Sequence, residues 1–279
     1  LVRNVSNAYY NWLYSIQYYN LLLQTDSIYA DYEKYADKKF KVGESNKLEK
    51  INASLQRQDI KLQLQQAKTQ TAVYYSELQR WIQSNDNYQA PATYATLPAI
   101  NLSDSALIKN HPVLQYLQQQ VAVKELAINA EKSKKQPSFN LGVNAQSLDK
   151  QQPFFYGSVG VNIPLFKTGV KARMQSAKIE TAIAKKEIER SQQELIAGYQ
   201  QQYELQQQYT QQLSYYQTDG LPTAELIIST VQKSYKAGDI GYIEYIQNLK
   251  DAIKIKEDYL TTINNYNQVV IAIQYLLNK

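Results

Sequence analysis

The sequence predicts a mainly α-helical protein with a small β part, in which long antiparallel coiled-coil helices carry a single β-hairpin. Three observations point there. The first is a period of two. Phe139, Leu141, Val143 and Ala145 alternate with Asn140, Gly142, Asn144 and Gln146, and after a polar turn Val159, Val161 and Ile163 alternate with Ser158, Gly160 and Asn162. Successive strand side chains point to opposite faces, so each run has one apolar and one polar side. Runs of roughly ten such residues are what a membrane β-barrel uses to cross a bilayer. A short amphipathic hairpin can also lie half-buried on a globular core. That would require further strands or a broad apolar helix face, and no third convincing strand is present.

The second observation is composition. With 44% hydrophobic residues, 25 Tyr and a mean hydropathy of −0.52 in 279 residues, the chain is short of material for a large core. Its apolar residues fall in narrow stripes, as in helices that bury only a seam. There is no Cys, which excludes disulfides, zinc–thiolate sites and thiol nucleophiles. A single His and a single Met leave little for soft-metal binding, and His111 before Pro112 is expected to cap a helix or lie on the surface. The net charge of +5 reads as dispersed along helices, with no basic patch interleaved with stacking aromatics, so nucleic acid is not an expected partner. No stretch approaches the ~18 apolar residues of a membrane-spanning helix. No Ser-His-Asp set, phosphate loop or HExxH occurs, so neither catalysis nor a cofactor is expected.

The third is a heptad seam. Met174, Thr181, Ile188, Leu195, Gln202, Tyr209 and Tyr216 recur at one position, and Ala177, Ala184, Ser191, Gly198, Leu205 and Gln212 at a second. Large and small residues at this period let helices approach and interdigitate.

In chain order, residues 1–84 read as two helices joined by a turn near Gly43, with Ser45 available to cap the second helix and Leu48, Ile51, Leu55 and Leu62 on one face. Residues 85–104, with Pro91 and Pro98, read as a linker. Residues 105–279 then give a helix over 105–136 capped by Ser103, a hairpin over 138–163, a long helix over 168–218, an interruption at Asp219, Gly220 and Pro222, a turn near Gly238 and a final helix over 241–278. The fragments FKVGESNKLEKINA and YKAGDIGYIEYIQN share an aromatic three residues before glycine, an acid after it and a glutamate six residues on, which marks an internal repeat. The first copy lacks a preceding hairpin, so sequence upstream of Leu1 is expected to belong to it.

The stretches NHPVLQYLQQQVAVKELAINAEKSKKQPSFNLGVNAQ and VGVNIPLFKTGVKARMQSAK, with the two glycine turns, resemble the TolC family of outer-membrane efflux proteins across essentially the whole chain. GDIGYIEYIQNLKDAIKIKEDYLTTINNYNQVVIAIQYLL is similar to its CusC/CzcC-like branch, which serves heavy-metal pumps of the RND class and includes pump-fused forms. The departure is that only part of the first repeat is present. The resemblance implies an outer-membrane channel extending into the periplasm: a homotrimer whose subunits close one β-barrel and one α-barrel, working passively with a periplasmic adaptor and an inner-membrane RND pump.

It also implies roles. Glu49 and Glu244 would form acidic rings at the periplasmic constriction, unless they are merely solvated and paired with Lys47 or Lys50. Gly43, Glu44, Gly238, Asp239, Ile240 and Tyr242 would make the tip turns and meet partners. Asn140, Asn144, Gln146, Ser158 and Asn162 would face the lumen, while Leu141, Val143, Val159 and Val161 would face lipid. Phe154, Phe155 and Tyr156 would form an aromatic girdle. The alternative is a periplasmic coiled-coil adaptor or scaffold with a soluble β element.

Overall fold

The computed structural model describes residues 1–84, 86–91, 94–101, 108–147, 154–166 and 168–278. Its elements are α1 (Val2–Lys41), α2 (Lys47–Ile82), α3 (Pro112–Ser133), β1 (Ser138–Gln146), β2 (Phe154–Asn162), α4 (Thr168–Tyr215), a π-helical turn (Tyr216–Gly220), α5 (Leu221–Ala237) and α6 (Tyr242–Leu277). They form two compact units, Leu1–Asp104 with Gly198–Leu277, and Ser105–Ala197. No described helix is long and apolar enough to cross a membrane.

In the first unit α1 packs against both α2 and α6, and α5 packs against α6. One cluster joins Tyr29, Tyr32, Ala36, Ala53, Val231, Tyr235, Tyr245, Leu249 and Ile253 near the two helical turns. A second gathers Ala8, Trp12, Leu13 and Leu78 at the other end of the α1–α2 pair, with Tyr94 of the linker packed on it. Each large side chain so buried contributes about 1.5–3 kcal/mol of transfer free energy, and four of the nine buried residues of the first cluster are tyrosines.

The described residues 86–91 and 94–101 contain no helix or strand, so peptide groups buried there need side-chain partners. Two buried amides supply them. Asn267 accepts from the Leu97 N–H at 2.8 Å and donates to the Ala95 carbonyl, and Gln206 accepts from the Ile100 N–H and donates to the Ile100 carbonyl at 3.0 Å.

The helix ends show why the chain turns where it does. Asn46, not Ser45, caps α2: its side chain accepts from the Glu49 N–H at 2.9 Å, while the Ser45 hydroxyl donates to the Asn46 carbonyl. His111 caps α3 through Nδ1, which accepts from the Val113 N–H, and it is buried, not on the surface. Pro112 at the first turn loses no hydrogen bond there. This helix is shorter than the expected 105–136, and the expected cap Ser103 lies outside the described residues.

The interruption expected at Asp219, Gly220 and Pro222 is not a break. The chain inserts one π turn, in which the Leu221 N–H bonds to the Tyr216 carbonyl, and runs straight into α5. The wider turn accommodates Pro222, whose ring would otherwise crowd the helix behind it. Gly220 is buried there. A Cβ built on it would approach Tyr216 at 3.0 Å and Ile255 of α6 at 3.4 Å.

Every residue of both predicted heptad positions on α4 and the following turn is at least half-buried. The buried residues Tyr199, Gln206, Leu213 and Gly220 are also seven apart, one place beyond the second predicted position.

Candidate functional site: a two-faced hairpin and paired helical tips

The hairpin of the second unit pairs antiparallel with Phe139 opposite Val161, Leu141 opposite Val159 and Ala145 opposite Phe155. Directly opposed residues share a face, so these make one apolar column with Val143. Asn140 opposite Gly160, Gly142 opposite Ser158 and Ser138 opposite Asn162 make the polar face, with Asn144 and Gln146. Ser158 leans over Gly142, whose missing side chain leaves it room. Leu141, Val143 and Val159 are 83%, 87% and 76% exposed, so nothing among the described residues covers the apolar column. The aromatic triplet divides. Only Phe155 lies on the apolar column, while Phe154 and Tyr156, opposite Gln146 and Asn144, are on the polar face with ring centroids 6.0 Å apart. Alternation within a strand forbids the three consecutive rings from forming one girdle.

At the tips of the first unit the repeat is visible atom by atom. Gly43 and Gly238 have φ of +78° and +87°, a left-handed conformation that glycine adopts without a Cβ penalty. The Gly43 N–H bonds to the Phe40 carbonyl and the Glu44 N–H to Lys39. The Gly238 N–H bonds to the Tyr235 carbonyl and the Asp239 N–H to Ser234. Both close the same Schellman-type cap. Glu44 and Asp239 are exposed, whereas Ile240 and Tyr242 are half-buried against the tyrosine cluster.

The two repeat glutamates part company. Glu244 is exposed, but Glu49 is buried and accepts a short hydrogen bond from the Tyr235 hydroxyl. The carboxylate expected on the water-filled constriction is therefore spent inside the protomer, because Tyr235 of α5 reaches it. Around this bond Tyr235 stacks on Tyr245 at 4.7 Å, Tyr32 meets both rings, and the Lys39 ammonium lies 4.8 Å over Tyr235. Burial, then the hydrogen bond to Glu49, pushes the Tyr235 phenol far up, and burial drives Tyr245 to about 12. Outside this cluster, Lys41 and Lys50 both contact Asp37 at 2.7 Å and hold its carboxyl down at about 2. The sequence reading missed Tyr32, Tyr245 and Lys39. Tyr235 was in view only as the aromatic before the turn glycine.

A membrane-type hairpin, paired helical tips and an internal repeat coincide with a family match: residues 102–278 fit the family described as outer membrane efflux protein. The chain belongs to the outer membrane efflux protein family. It is therefore no enzyme, and it is an outer-membrane efflux protein. Membership replaces the adaptor or scaffold alternative. Its fold is similar to that of CusC (TM-score 0.82, 18% identity, 99% of this chain and 67% of that one). It is equally similar to a membrane protein from Pseudomonas aeruginosa (TM-score 0.85, 14% identity, 99% and 67%). A third likeness is to the Campylobacter jejuni CmeC outer membrane channel (TM-score 0.84, 15% identity, 99% and 62%). At these identities the likeness shows the fold. This efflux protein spans about two thirds of the length of those structures. No curated protein sequence matches it.

Proposed function

We propose that this efflux protein is the passive outer-membrane duct of a tripartite system, exporting cations, in particular metal ions, handed over by an inner-membrane RND pump through a periplasmic adaptor. The observation that carries this reading is the hairpin, with an uncovered apolar column, a polar opposite face and two strand edges unpaired among the described residues. In hydrocarbon such edges must be paired, so strands from further copies close the ring, in a homotrimer. Leu141, Val143, Val159 and Val161 then face lipid, and Asn140, Asn144, Gln146, Ser158 and Asn162 line the lumen.

In the first unit, Gly43 and Gly238 present Glu44 and Asp239 to the adaptor or pump, with Ile240 and Tyr242 backing the second turn. Exposed Glu244, repeated by symmetry, makes an acidic constriction that favours cations. The Glu49–Tyr235 bond holds the α1–α2 and α5–α6 hairpins together, and opening requires it to yield. With no Cys and one Met, soft cations are conducted without being held.

The test is conductance of the full protein in planar bilayers. Cation-selective pores that lose selectivity in Glu244→Gln are expected. A protein released from membranes by high salt, with no conductance, would overturn the duct. Selectivity unmoved by Glu244→Gln would overturn the constriction.

A further inference from the structure

Ser138 at the start of β1 pairs with Asn162 at the end of β2, so the end of α3 and the start of α4 hang from the same end of the hairpin. Arg173 of α4 reaches Glu131 of α3 at 3.0 Å, which fixes the two helix ends side by side. Across residues 131–137 and 163–178 the sequence carries seven Lys or Arg against the single acid Glu131. That excess accounts for the whole net charge of +5, and the rest of the chain balances to within one charge. The charge expected to be dispersed along the helices is gathered here. Glu131 pairs with Lys134 and Arg173, while Lys132, Lys135, Lys171 and Lys178 form no ion pair among the described residues. Cations at the end of α3 suit its helix dipole, but that account fails for Lys171 and Arg173 at the start of α4.

Immediately between the strand and these cations stand Ile163, Leu165 and Phe166. They are 60%, 81% and 91% exposed, Phe166 more so than any other large apolar side chain among the described residues. The order along the chain is therefore apolar column, exposed Leu and Phe, then cations. It reproduces the order of hydrocarbon, interface and phosphate in one bilayer leaflet.

We propose that the hairpin base is a docking surface for anionic phospholipid of the periplasmic leaflet, with Leu165 and Phe166 among the acyl chains and Lys132, Lys135 and Lys171 on the headgroup phosphates. The proposal rests on the reading that the hairpin crosses the membrane. Charge complementarity and continuity with the lipid-facing column select lipid as the occupant. Phosphate diester oxygens accept from several ammonium groups at once, and an added net negative charge separates phosphatidylglycerol from phosphatidylethanolamine.

The full protein is placed in nanodiscs of phosphatidylethanolamine with and without phosphatidylglycerol, and the lipids it retains after mild detergent extraction are counted by native mass spectrometry. Wild type retains phosphatidylglycerol at least about threefold over its share of the disc, less so at high salt. A Lys132→Gln, Lys135→Gln, Lys171→Gln variant retains both lipids alike, and Lys185→Gln, Lys186→Gln behaves as wild type. Equal retention of the two lipids by wild type overturns the proposal, as does a preference that the triple variant keeps. If the triple variant does not fold, the wild-type comparison decides. Inorganic phosphate at matched ionic strength that abolishes the preference would show a free-phosphate site and overturn the lipid. A fluorophore on Val143→Cys, quenched by brominated lipid in every disc, reads membrane insertion separately. Quenching without a phosphatidylglycerol preference sinks only the docking surface, and no quenching sinks the transmembrane hairpin.

Discussion

The Tyr235 hydroxyl donates to the buried Glu49 carboxylate across 186 positions of sequence, tying the start of α2 to the end of α5. A hydrogen bond to a charged group contributes about 1.5–3 kcal/mol, and removing its donor leaves a carboxylate buried without compensation. Tyr235→Phe is expected to lower stability by about 2 kcal/mol in urea unfolding and to raise the open probability of reconstituted pores. Glu49→Gln, which keeps an acceptor, is expected to do less. Equal stability of Tyr235→Phe and wild type would show that the bond does not hold the tips.

The same bond has a pH signature. The folded phenol of Tyr235 titrates well above its unfolded value, so its contribution is fully present below about pH 10 and is lost as the pH rises further. Alkaline titration should loosen the tip of wild type above pH ~10, and Tyr235→Phe should remove that component. Tyrosinate absorbance against pH, wild type minus variant, is the measurement.

At the turns, Gly43 and Gly238 have open space where a Cβ would stand, so substitution meets backbone strain and no clash. Gly43→Ala and Gly238→Ala are each expected to cost about 1 kcal/mol in thermal unfolding. The two losses should add, because each cap closes within its own helix end.

Gln206 and Asn267 act as side-chain substitutes for a strand partner along residues 94–101. Gln206→Leu or Asn267→Leu strands a backbone N–H and C=O, at a cost of about 1–3 kcal/mol per buried group. Limited proteolysis should then cut within 86–101 at protease levels that spare wild type.

On the hairpin, Val143→Arg and Asn144→Arg place the same charge on opposite faces. The first is expected to cost about 2–4 kcal/mol near mid-bilayer and the second little. Folding yield into lipid vesicles distinguishes them, and equal losses would contradict the assigned faces.

Local pattern was legible where the physics is local. Strand alternation fixed which residues of the hairpin share a face, the period of seven marked the buried side of α4, and two glycines followed by acids marked matching caps. Less was legible where partners lie far apart in sequence. Ser45 and Asn46 are both good caps, and only the backbone path selects Asn46. Gly220 and Pro222 look like a break, yet a π turn packed on Ile255 absorbs them.

The sequence by itself determined the helices, the hairpin, its two faces and the repeat, because each follows from a period or a residue's own backbone preference. Tertiary structure alone decided that Glu49 turns inward while its repeat partner Glu244 stays in water. The two occupy equivalent places in matching turns, but only one faces a tyrosine from another helix, and no property of the local sequence encodes which distant side chain arrives.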